Sequence, residues 1–320
     1  MKWGIAGYGD VVVRRVLPAL RALGEEPVAL WGRDPGRAAR TAEQHGIAAS
    51  GSDPDILLGM ADAVYVATPV VHHVPLAEAA LGTGLHVLVE KPLAGGLHPG
   101  GNLVTAGRCA GVAYYRRLAP AVRRLRRELA GSGAEHVEVR FRCSFAPGPE
   151  HPMRWRTDPA VSGGGVLADA GSHRLDLLLT LFGRPLEVQG RLSRRFPLGA
   201  ERRAELVLRW PSGMRAHCLM EWSDEPPVDL ITVTCGARTI TLDPLDSGQL
   251  RLDSPDSAVG LTLPPAANPH QPLIADFAKA AETGGLPACP VAEARLVDEI
   301  IVAAGRSDAA GGQPVRPWQE

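Results

Sequence analysis

Short apolar runs alternate with stretches of helical pattern through the first third of the chain. The runs predict buried strands, at residues 3–6, 28–31, 63–67, 86–89 and 112–114. Continuous apolar strands separated by helices of about ten or more residues are typical of a parallel sheet covered on both faces. The sequence therefore predicts a doubly wound α/β domain, and the change of pattern near Arg116 and Pro120 places its end at residue 117.

A different period begins beyond residue 131. In the segment 137–145 every odd residue is apolar and every even residue is polar, which predicts a strand with one buried and one open face. Further strands of this kind are predicted at 186–192, 205–210, 215–222, 230–235 and 238–242, and helices at 271–282 and 291–304. Residues 118–320 are therefore predicted to form an α+β domain with an open-faced, mostly antiparallel sheet.

Charge and cysteine usage narrow the class of protein. The chain has 34 basic and 35 acidic side chains, so no strong field favours nucleic acid as a partner. Six arginines between Arg116 and Arg127 are interpreted as a solvated helix face rather than a phosphate site.

No run approaches the ~18 apolar residues of a membrane span, and the first residues lack a leader pattern. The five cysteines lie far apart, which favours reduced thiols over disulfides or zinc. We expect a cytoplasmic protein.

A glycine motif follows the first predicted strand directly. Gly7 and Gly9 stand where a tight turn and a close backbone approach to a pyrophosphate are needed, and Asp10 and Val11 open the next helix. The free N–H groups of a helix N-terminus attract phosphate. The motif predicts a dinucleotide site, although Val12 occupies the position where the fingerprint has a third small residue.

The end of the second predicted strand bears on the choice of dinucleotide. A carboxylate there holds the ribose of NAD, but this chain has Gly32. We expect that the glycine leaves room for a 2′-phosphate and that Arg33 and Arg37 offer it forked donors, which favours NADP. The alternative is that Asp34 binds the ribose and Arg33 stacks on adenine, which would admit NAD.

Lys91 is a candidate catalytic residue at the end of the fifth predicted strand. Lysine occurs only three times in this arginine-rich chain, and the carboxyl ends of parallel strands face the ligand crevice. Partial burial can lower the pKa of a lysine toward neutrality, so that a lysine can donate a proton, whereas an arginine cannot. The alternative is a surface lysine paired with Glu90.

A second candidate cluster follows three consecutive glycines, Gly163 to Gly165. The residues beyond them are predicted to be helical, which places Asp169 and His173 four residues apart on one face. A histidine steadied by a carboxylate is the usual general acid or base toward an alcohol. His173 is equally compatible with a structural role in the first turn of the helix.

These motifs, in this order, resemble the Gfo/Idh/MocA oxidoreductase family over nearly the full length of the chain. The matching positions include Gly7-x-Gly9, Ala67-Thr68-Pro69 with His73, Glu90-Lys91-Pro92, Tyr114 to Arg117 with Pro120, Trp155-Arg156 with Asp158-Pro159, and Ser162 to Asp176. One departure is Val70, which replaces the asparagine often found after Thr-Pro.

The resemblance implies a Rossmann domain followed by a substrate domain, with Lys91, Asp169 and His173 at the family's catalytic positions. It also assigns two binding sets. The cofactor set consists of the residues already proposed near the first two strands together with five further ones: Gly7, Gly9, Asp10, Val11, Gly32, Arg33 and Arg37, with Thr68, Pro69, His73, Glu90 and Lys91. The substrate set is Tyr115, Trp155, Arg156 and Asp176.

The sequence thus predicts an NAD(P)-dependent oxidoreductase, with NADP preferred, that acts on a secondary alcohol or ketone of a sugar, sugar derivative or cyclitol without a metal. Two alternatives stay open. One is a reductase of an imine, enone or dihydrodiol-type substrate, and the other is a non-catalytic protein that senses NADP. We expect a homodimer or homotetramer that assembles through the open sheet face.

Overall fold

The computed structural model describes residues 1–97 and 103–318, which form two compact units. Of these residues, the first unit holds 1–94, 103–115 and 266–294, and the second holds 95–97, 116–265 and 295–318. Residues 266–294 thus lie in the first unit, although the sequence assigns them to the second of two predicted domains. No helix in the described part of the chain has the length and apolar character needed to cross a membrane.

The regular elements follow the alternation seen in the sequence. The strands are β1 (Lys2–Ala6), β2 (Glu26–Trp31), β3 (Ala49–Gly51), β4 (Ala63–Val66), β5 (His86–Val89), β6 (Ala110–Val112), β7 (His136–Cys143), β8 (Glu187–Arg195), β9 (Glu201–Arg209), β10 (Arg215–Trp222), β11 (Val228–Cys235), β12 (Arg238–Leu242), β13 (Gln249–Ser254) and β14 (Ser257–Thr262). The α-helices are α1 (Leu17–Ala22), α2 (Pro35–Gln44), α3 (Asp55–Leu58), α4 (His73–Gly82), α5 (Pro120–Leu129), α6 (Pro159–Ser162), α7 (Ser172–Phe182), α8 (His270–Thr283) and α9 (Val291–Ala309).

The first unit is built on a six-stranded sheet in the order β3-β2-β1-β4-β5-β6, with every neighbouring pair parallel. This is the strand order of a Rossmann fold, so the predicted doubly wound class is confirmed. The central strand β4 and most of β1, β2 and β5 are apolar and buried, which suits strands covered on both faces. Trp3 of β1 is fully buried and contacts Phe277 of α8, with their ring centroids 5.6 Å apart. Helix α8 therefore contributes to the core of the first unit.

Two strands of the first unit differ from their predicted positions. β3 was not predicted, because its three residues, Ala49 to Gly51, are too few and too polar to form an apolar run. β6 begins two residues earlier than the predicted strand at 112–114. Helix α2 has a capped start, because the Asp34 carboxylate accepts from the backbone N–H of Arg37 and Pro35 occupies the first helical position.

The second unit is built on an eight-stranded sheet in the order β14-β13-β12-β11-β7-β10-β9-β8. β7 and β10 pair in parallel, and the other neighbouring pairs are antiparallel. On β7 the side chains of Val137 and Val139 are fully buried, whereas Glu138 and Arg140 are exposed. The predicted open-faced, mostly antiparallel sheet is confirmed. The hairpin β13–β14 was missed, because its largely exposed residues give little apolar contrast.

Candidate active site

The predicted cofactor residues of the first unit meet at one edge of its sheet. Gly7 follows β1, Gly32 follows β2, Thr68 follows β4 and Lys91 follows β5. Because these four strands are adjacent and parallel, their carboxyl ends lie at the same edge. This is the edge at which doubly wound sheets bind nucleotides.

The turn after β1 has a geometry that requires glycine. Gly7 has a φ of +112°, and a Cβ on it would lie 2.5 Å from the carbonyl oxygen of Ala67. Its N–H donates to the Trp31 carbonyl at 2.8 Å. The turn is therefore pressed against the end of β4, while no described atom lies within 4 Å of the corresponding position on Gly9. The backbone at Gly9 is accessible to a ligand.

The helix after this turn begins differently from the fingerprint. Asp10 is exposed and Val11 is half-buried at its start, and Val12 to Val16 form a π-helical turn before α1. Val12, which stands where the fingerprint has a small residue, is fully buried. The π-helical turn therefore begins at the residue that departs from the fingerprint.

The segment after β4 offers a polar atom to a ligand. Thr68 Oγ1 is buried and has no hydrogen-bond partner among the described residues. Both ring nitrogens of His73, in contrast, lie close to backbone carbonyl oxygens. Its Nδ1 lies 2.9 Å from the Pro92 carbonyl and its Nε2 lies 2.9 Å from the Thr68 carbonyl. Burial lowers the pKa of His73 despite these acceptors. The histidine thus ties the segment Thr68–Pro69 to the segment that carries Lys91.

These features fit a dinucleotide. The glycine turn, the accessible backbone at Gly9 and the unpaired hydroxyl of Thr68 lie along the carboxyl edge of adjacent strands. Buried polar atoms are nearly always hydrogen-bonded, so an unpaired hydroxyl at this edge is accounted for by a polar ligand.

Glu90, next to the half-buried Lys91, is the centre of a hydrogen-bond network. Its Oε1 accepts from the Tyr65 hydroxyl at 2.7 Å and lies 3.1 Å from His270 Nε2, and its Oε2 accepts from the Lys91 N–H at 3.2 Å. Burial by itself raises the pKa of Glu90, but the hydrogen bond and charge of His270, with Tyr65 and Lys91, lower it to about 2. Glu90 is therefore a carboxylate at any physiological pH.

Sequence reasoning missed His270. It lies at the start of α8, 180 residues from Glu90, is 5% exposed, and its ring centroid is 5.5 Å from that of Tyr115. Tyr115 is one of the predicted substrate residues. No spacing in the sequence indicates this contact, because it depends on the packing of α8 into the first unit.

In the second unit, Asp169 and His173 lie on consecutive turns of one helical segment. Asp169 belongs to a π-helical turn, Leu167–Gly171, that runs directly into α7, where His173 is buried. The predicted helical segment is therefore present, and its hydrogen bonding at Asp169 is π-helical rather than α-helical. The Arg156 Nη1 donates to Asp169 Oδ2 at 3.0 Å, and the Arg156 guanidinium lies 5.5 Å from the ring centre of Trp155. The structure thus joins two predicted substrate residues to a predicted catalytic one.

A second missed residue, Glu201, fixes the start of this segment. Its side chain accepts from the Gly165 N–H at 2.9 Å and the Leu167 N–H at 3.0 Å. A Cβ on Gly165 would lie 2.0 Å from the Glu201 carbonyl oxygen, so only glycine allows this approach. Burial raises the pKa of Glu201, and the backbone N–H groups oppose the rise without overcoming it. The glycine cluster therefore serves a close packing contact in addition to a turn.

Asp176, predicted from the family resemblance to line the substrate pocket, is held in a buried ion pair. It is fully buried and accepts from Arg117 Nε at 2.9 Å and from Arg117 Nη2 at 2.7 Å. Arg116 is also buried and pairs with Asp246. The interpretation of the arginine run as a solvated face is therefore wrong for Arg116 and Arg117, whereas the arginines 123, 126 and 127 are exposed as expected. Both arginines directly precede α5 and belong to the second unit.

Comparison with known proteins agrees with this arrangement. Residues 1–115 match the oxidoreductase family with an NAD-binding Rossmann fold, and residues 116–240 match the C-terminal domain of the GFO/IDH/MocA family. The chain belongs to the Gfo/Idh/MocA family. It is an NAD(P)-dependent oxidoreductase that acts on CH–OH groups.

Two curated proteins and one solved structure are among the most similar. The NADP-dependent D-xylose 1-dehydrogenase 2 of Haloferax volcanii is 29% identical over 90% of this chain and 91% of its own length. The 1,5-anhydro-D-fructose reductase of Ensifer adhaerens is 35% identical over 55% of each chain. The structure of levoglucosan dehydrogenase in complex with NADH and levoglucosan is 21% identical, with a TM-score of 0.86 over 100% of both chains. This last likeness shows the shared fold.

Proposed function

We propose that this protein is an NADP-preferring oxidoreductase that interconverts a secondary alcohol and a ketone on a sugar, sugar derivative or cyclitol. The observation that carries the proposal is the meeting of Gly7, Thr68 and Lys91 at the carboxyl edge of adjacent parallel strands. The names of the two curated relatives, which act on D-xylose and on 1,5-anhydro-D-fructose, support the substrate class.

Lys91, His173 and Asp169 are the proposed catalytic residues. In the oxidative direction His173 accepts the proton of the substrate hydroxyl, and Asp169 holds the imidazole in the orientation this requires. The Lys91 ammonium donates a hydrogen bond to the same oxygen and stabilises its developing negative charge. The nicotinamide of the bound cofactor supplies the hydride acceptor.

The proposed substrate contacts come from Tyr115, Trp155 and Arg156. Tyr115 is held against His270, and Arg156 is held by Asp169 and the Trp155 ring, so each has a defined position. Asp176 takes part indirectly, because its carboxylate is engaged by Arg117. The division of the chain near residue 117 into a cofactor domain and a substrate domain is part of the proposal, although residues 266–294 pack in the first unit.

The preference for NADP rests on Gly32, Arg33 and Arg37. Both arginines are exposed at the carboxyl end of β2, where no carboxylate side chain occupies position 32. The NADP dependence of the H. volcanii relative supports the same choice. A preference for NADH in the assay below would overturn this part of the proposal.

The test is an activity screen of the purified protein against sugars, cyclitols, cyclic imines and enones with NADP(H) and with NAD(H). Lys91→Ala and His173→Ala are each expected to lower turnover of the best substrate at least ~100-fold, and His173→Ala should leave cofactor binding little changed. Lys279→Ala, on the surface of α8, is a control that should keep full activity. Turnover confined to imines or enones, or cofactor binding without turnover of any compound, would favour one of the alternatives and contradict this proposal.

We also propose a cytoplasmic homodimer or homotetramer that assembles through the open face of the second sheet. All five cysteines are free thiols, which suits a reducing compartment. An assembly through this face led us to expect a contiguous apolar surface, and the structure does not show one. The face mixes charged and polar side chains such as Glu138, Arg191 and His217 with Val207 and Leu219. Light scattering of the wild type and of Leu219→Asp tests the assembly, because an interface there should dissociate in the variant.

A further inference from the structure

The side chain of Tyr8 connects the glycine turn after β1 to the end of β2. Tyr8 is the middle residue of Gly7-x-Gly9, and its ring lies on the backbone of Gly32. A Cβ at position 32 would be 1.8 Å from Tyr8 Cε1 and 2.3 Å from Cδ1. The space that we expected Gly32 to leave for a phosphate is therefore filled by an aromatic ring, and any larger residue at position 32 would displace it.

The guanidinium of Arg37 packs over the same ring. The Arg37 guanidinium carbon lies 4.7 Å from the centre of the Tyr8 ring, within the range of a cation–π contact. The Tyr8 hydroxyl accepts from the Asp34 N–H at 3.2 Å, and the Asp34 carboxylate accepts from the Arg37 N–H at 2.9 Å. Tyr8, Asp34 and Arg37 thus form a closed set of contacts at the start of α2.

This arrangement prepares an exposed cation for an anionic ligand. A guanidinium that lies over an aromatic ring keeps its in-plane N–H groups available, and it loses less conformational freedom on binding when it is already ordered. In addition, a carboxylate at position 32, the usual partner of an NAD ribose, is excluded because the Tyr8 ring occupies its space. The ordering of Arg37 and the exclusion of a carboxylate at position 32 both favour a ribose that carries a 2′-phosphate over one with a free 2′-hydroxyl.

We propose that Tyr8 is a specificity-determining residue for the 2′-phosphate of the cofactor adenosine, through its packing on Gly32 and its hold on Arg37. The inference rests on the proposed preference for NADP and names the residue that creates it. Its rival is that Tyr8 only braces the turn after β1, in which case its loss weakens every adenine nucleotide to the same extent.

The experiment measures the binding of 2′,5′-ADP and 5′-AMP to the full-length protein by isothermal titration calorimetry. These fragments lack nicotinamide, so the readout is independent of catalysis. The wild type should bind 2′,5′-ADP more tightly than 5′-AMP. Tyr8→Ala should weaken 2′,5′-ADP about tenfold, the loss of one charge-assisted contact, and change 5′-AMP by less than about threefold. Tyr8→Phe keeps the ring and should stay within about threefold of the wild type for both.

Two arginine variants complete the design. Arg37→Ala should reproduce the loss of Tyr8→Ala, and the double variant should lose little more, because the two residues act as one unit. Arg40→Ala removes an exposed charge from the same helix and should change neither affinity by more than about twofold. Circular dichroism verifies that each variant is folded.

The outcomes separate the two proposals. If the wild type prefers 2′,5′-ADP but Tyr8→Ala keeps that preference, or weakens both fragments equally, the role of Tyr8 is wrong while the preference for NADP stands. If the wild type binds the two fragments equally, the preference for NADP is wrong and the role of Tyr8 falls with it.

Discussion

Each unit of this protein has a buried glutamate beside its predicted catalytic residues, and the two glutamates behave in opposite ways. Glu90 adjoins Lys91 in the first unit, and Glu201 holds the segment before Asp169 in the second. The side chain of Glu90 is 12% exposed and Glu201 is 4% exposed. The pKa of Glu90 is lowered to about 2, whereas that of Glu201 is raised.

The difference lies in the partners rather than in the depth of burial. Burial raises the pKa of both carboxyls. Glu90 receives hydrogen bonds from the side chains of His270 and Tyr65, and the charges of His270 and Lys91 act on it. Glu201 accepts its hydrogen bonds mainly from backbone N–H groups, which carry no net charge. The carboxylate form of Glu90 is therefore favoured because its side-chain hydrogen bonds and neighbouring charges outweigh the cost of burial, whereas the partners of Glu201 do not.

The opposite shifts have opposite consequences for stability. A lowered folded pKa gives stability that is complete above the unfolded value of 4.5 and is lost as the pH falls toward about 2. A raised folded pKa means that the folded state holds its proton more tightly, so stability increases as the pH falls through that pKa. The following predictions test this contrast, from the largest expected effect to the smallest.

Glu90→Ala should produce the largest loss. It removes the acceptor of Tyr65, His270 and the Lys91 N–H together, and breaking a buried charged network costs about 3–5 kcal/mol. Urea unfolding followed by circular dichroism measures this free energy. Glu43→Ala, an exposed glutamate of α2, is the control and should change stability by no more than about 0.5 kcal/mol. Equal effects of the two variants would show that the network does not stabilise the fold.

Glu201→Ala should destabilise the protein by about 2 kcal/mol, because it leaves the N–H groups of Gly165 and Leu167 unpaired in the interior. Hydrogen exchange measured by mass spectrometry should show faster exchange in peptides that cover these residues. Glu150→Ala, exposed in the same unit, should leave exchange unchanged. Unaltered protection in Glu201→Ala would mean that Glu201 does not order the segment that carries Asp169.

Acidification should cost the wild type somewhat less than 2 kcal/mol through Glu90, over the interval from about pH 5 to about pH 3. Glu90→Gln cannot ionise, so its stability should fall less over the same interval. The comparison uses urea unfolding of both proteins at each pH. Parallel pH profiles for the two proteins would show that the folded pKa of Glu90 is not lowered.

Glu201→Gln should give the smallest change, within about 1 kcal/mol at neutral pH, because the amide keeps the shape of the side chain and one acceptor oxygen. Relative to this variant, the wild type should gain stability as the pH falls through the raised pKa of Glu201. A wild type that instead loses stability relative to Glu201→Gln on mild acidification would reverse the contrast drawn here.

Local patterns in the sequence were sufficient for most of the architecture. The apolar runs predicted the parallel sheet because each strand is buried on both faces, and the alternation in β7 predicted the open sheet because only one of its faces is buried. Strands without a clear apolar pattern were not predicted. These are the short β3 and the exposed hairpin β13–β14, in which burial leaves little trace in the sequence.

By itself, the sequence determined the class of fold, the glycine turn and the positions of Lys91 and His173 relative to their own elements. Only the tertiary structure decided what surrounds them: His270 at Glu90, Glu201 at the glycine cluster, Arg117 at Asp176 and the Tyr8 ring on Gly32. The physical reason is that periodicity and capping depend on residues within a few positions of one another. A buried hydrogen bond or a ring contact depends on which distant elements pack together, and no local pattern encodes that choice.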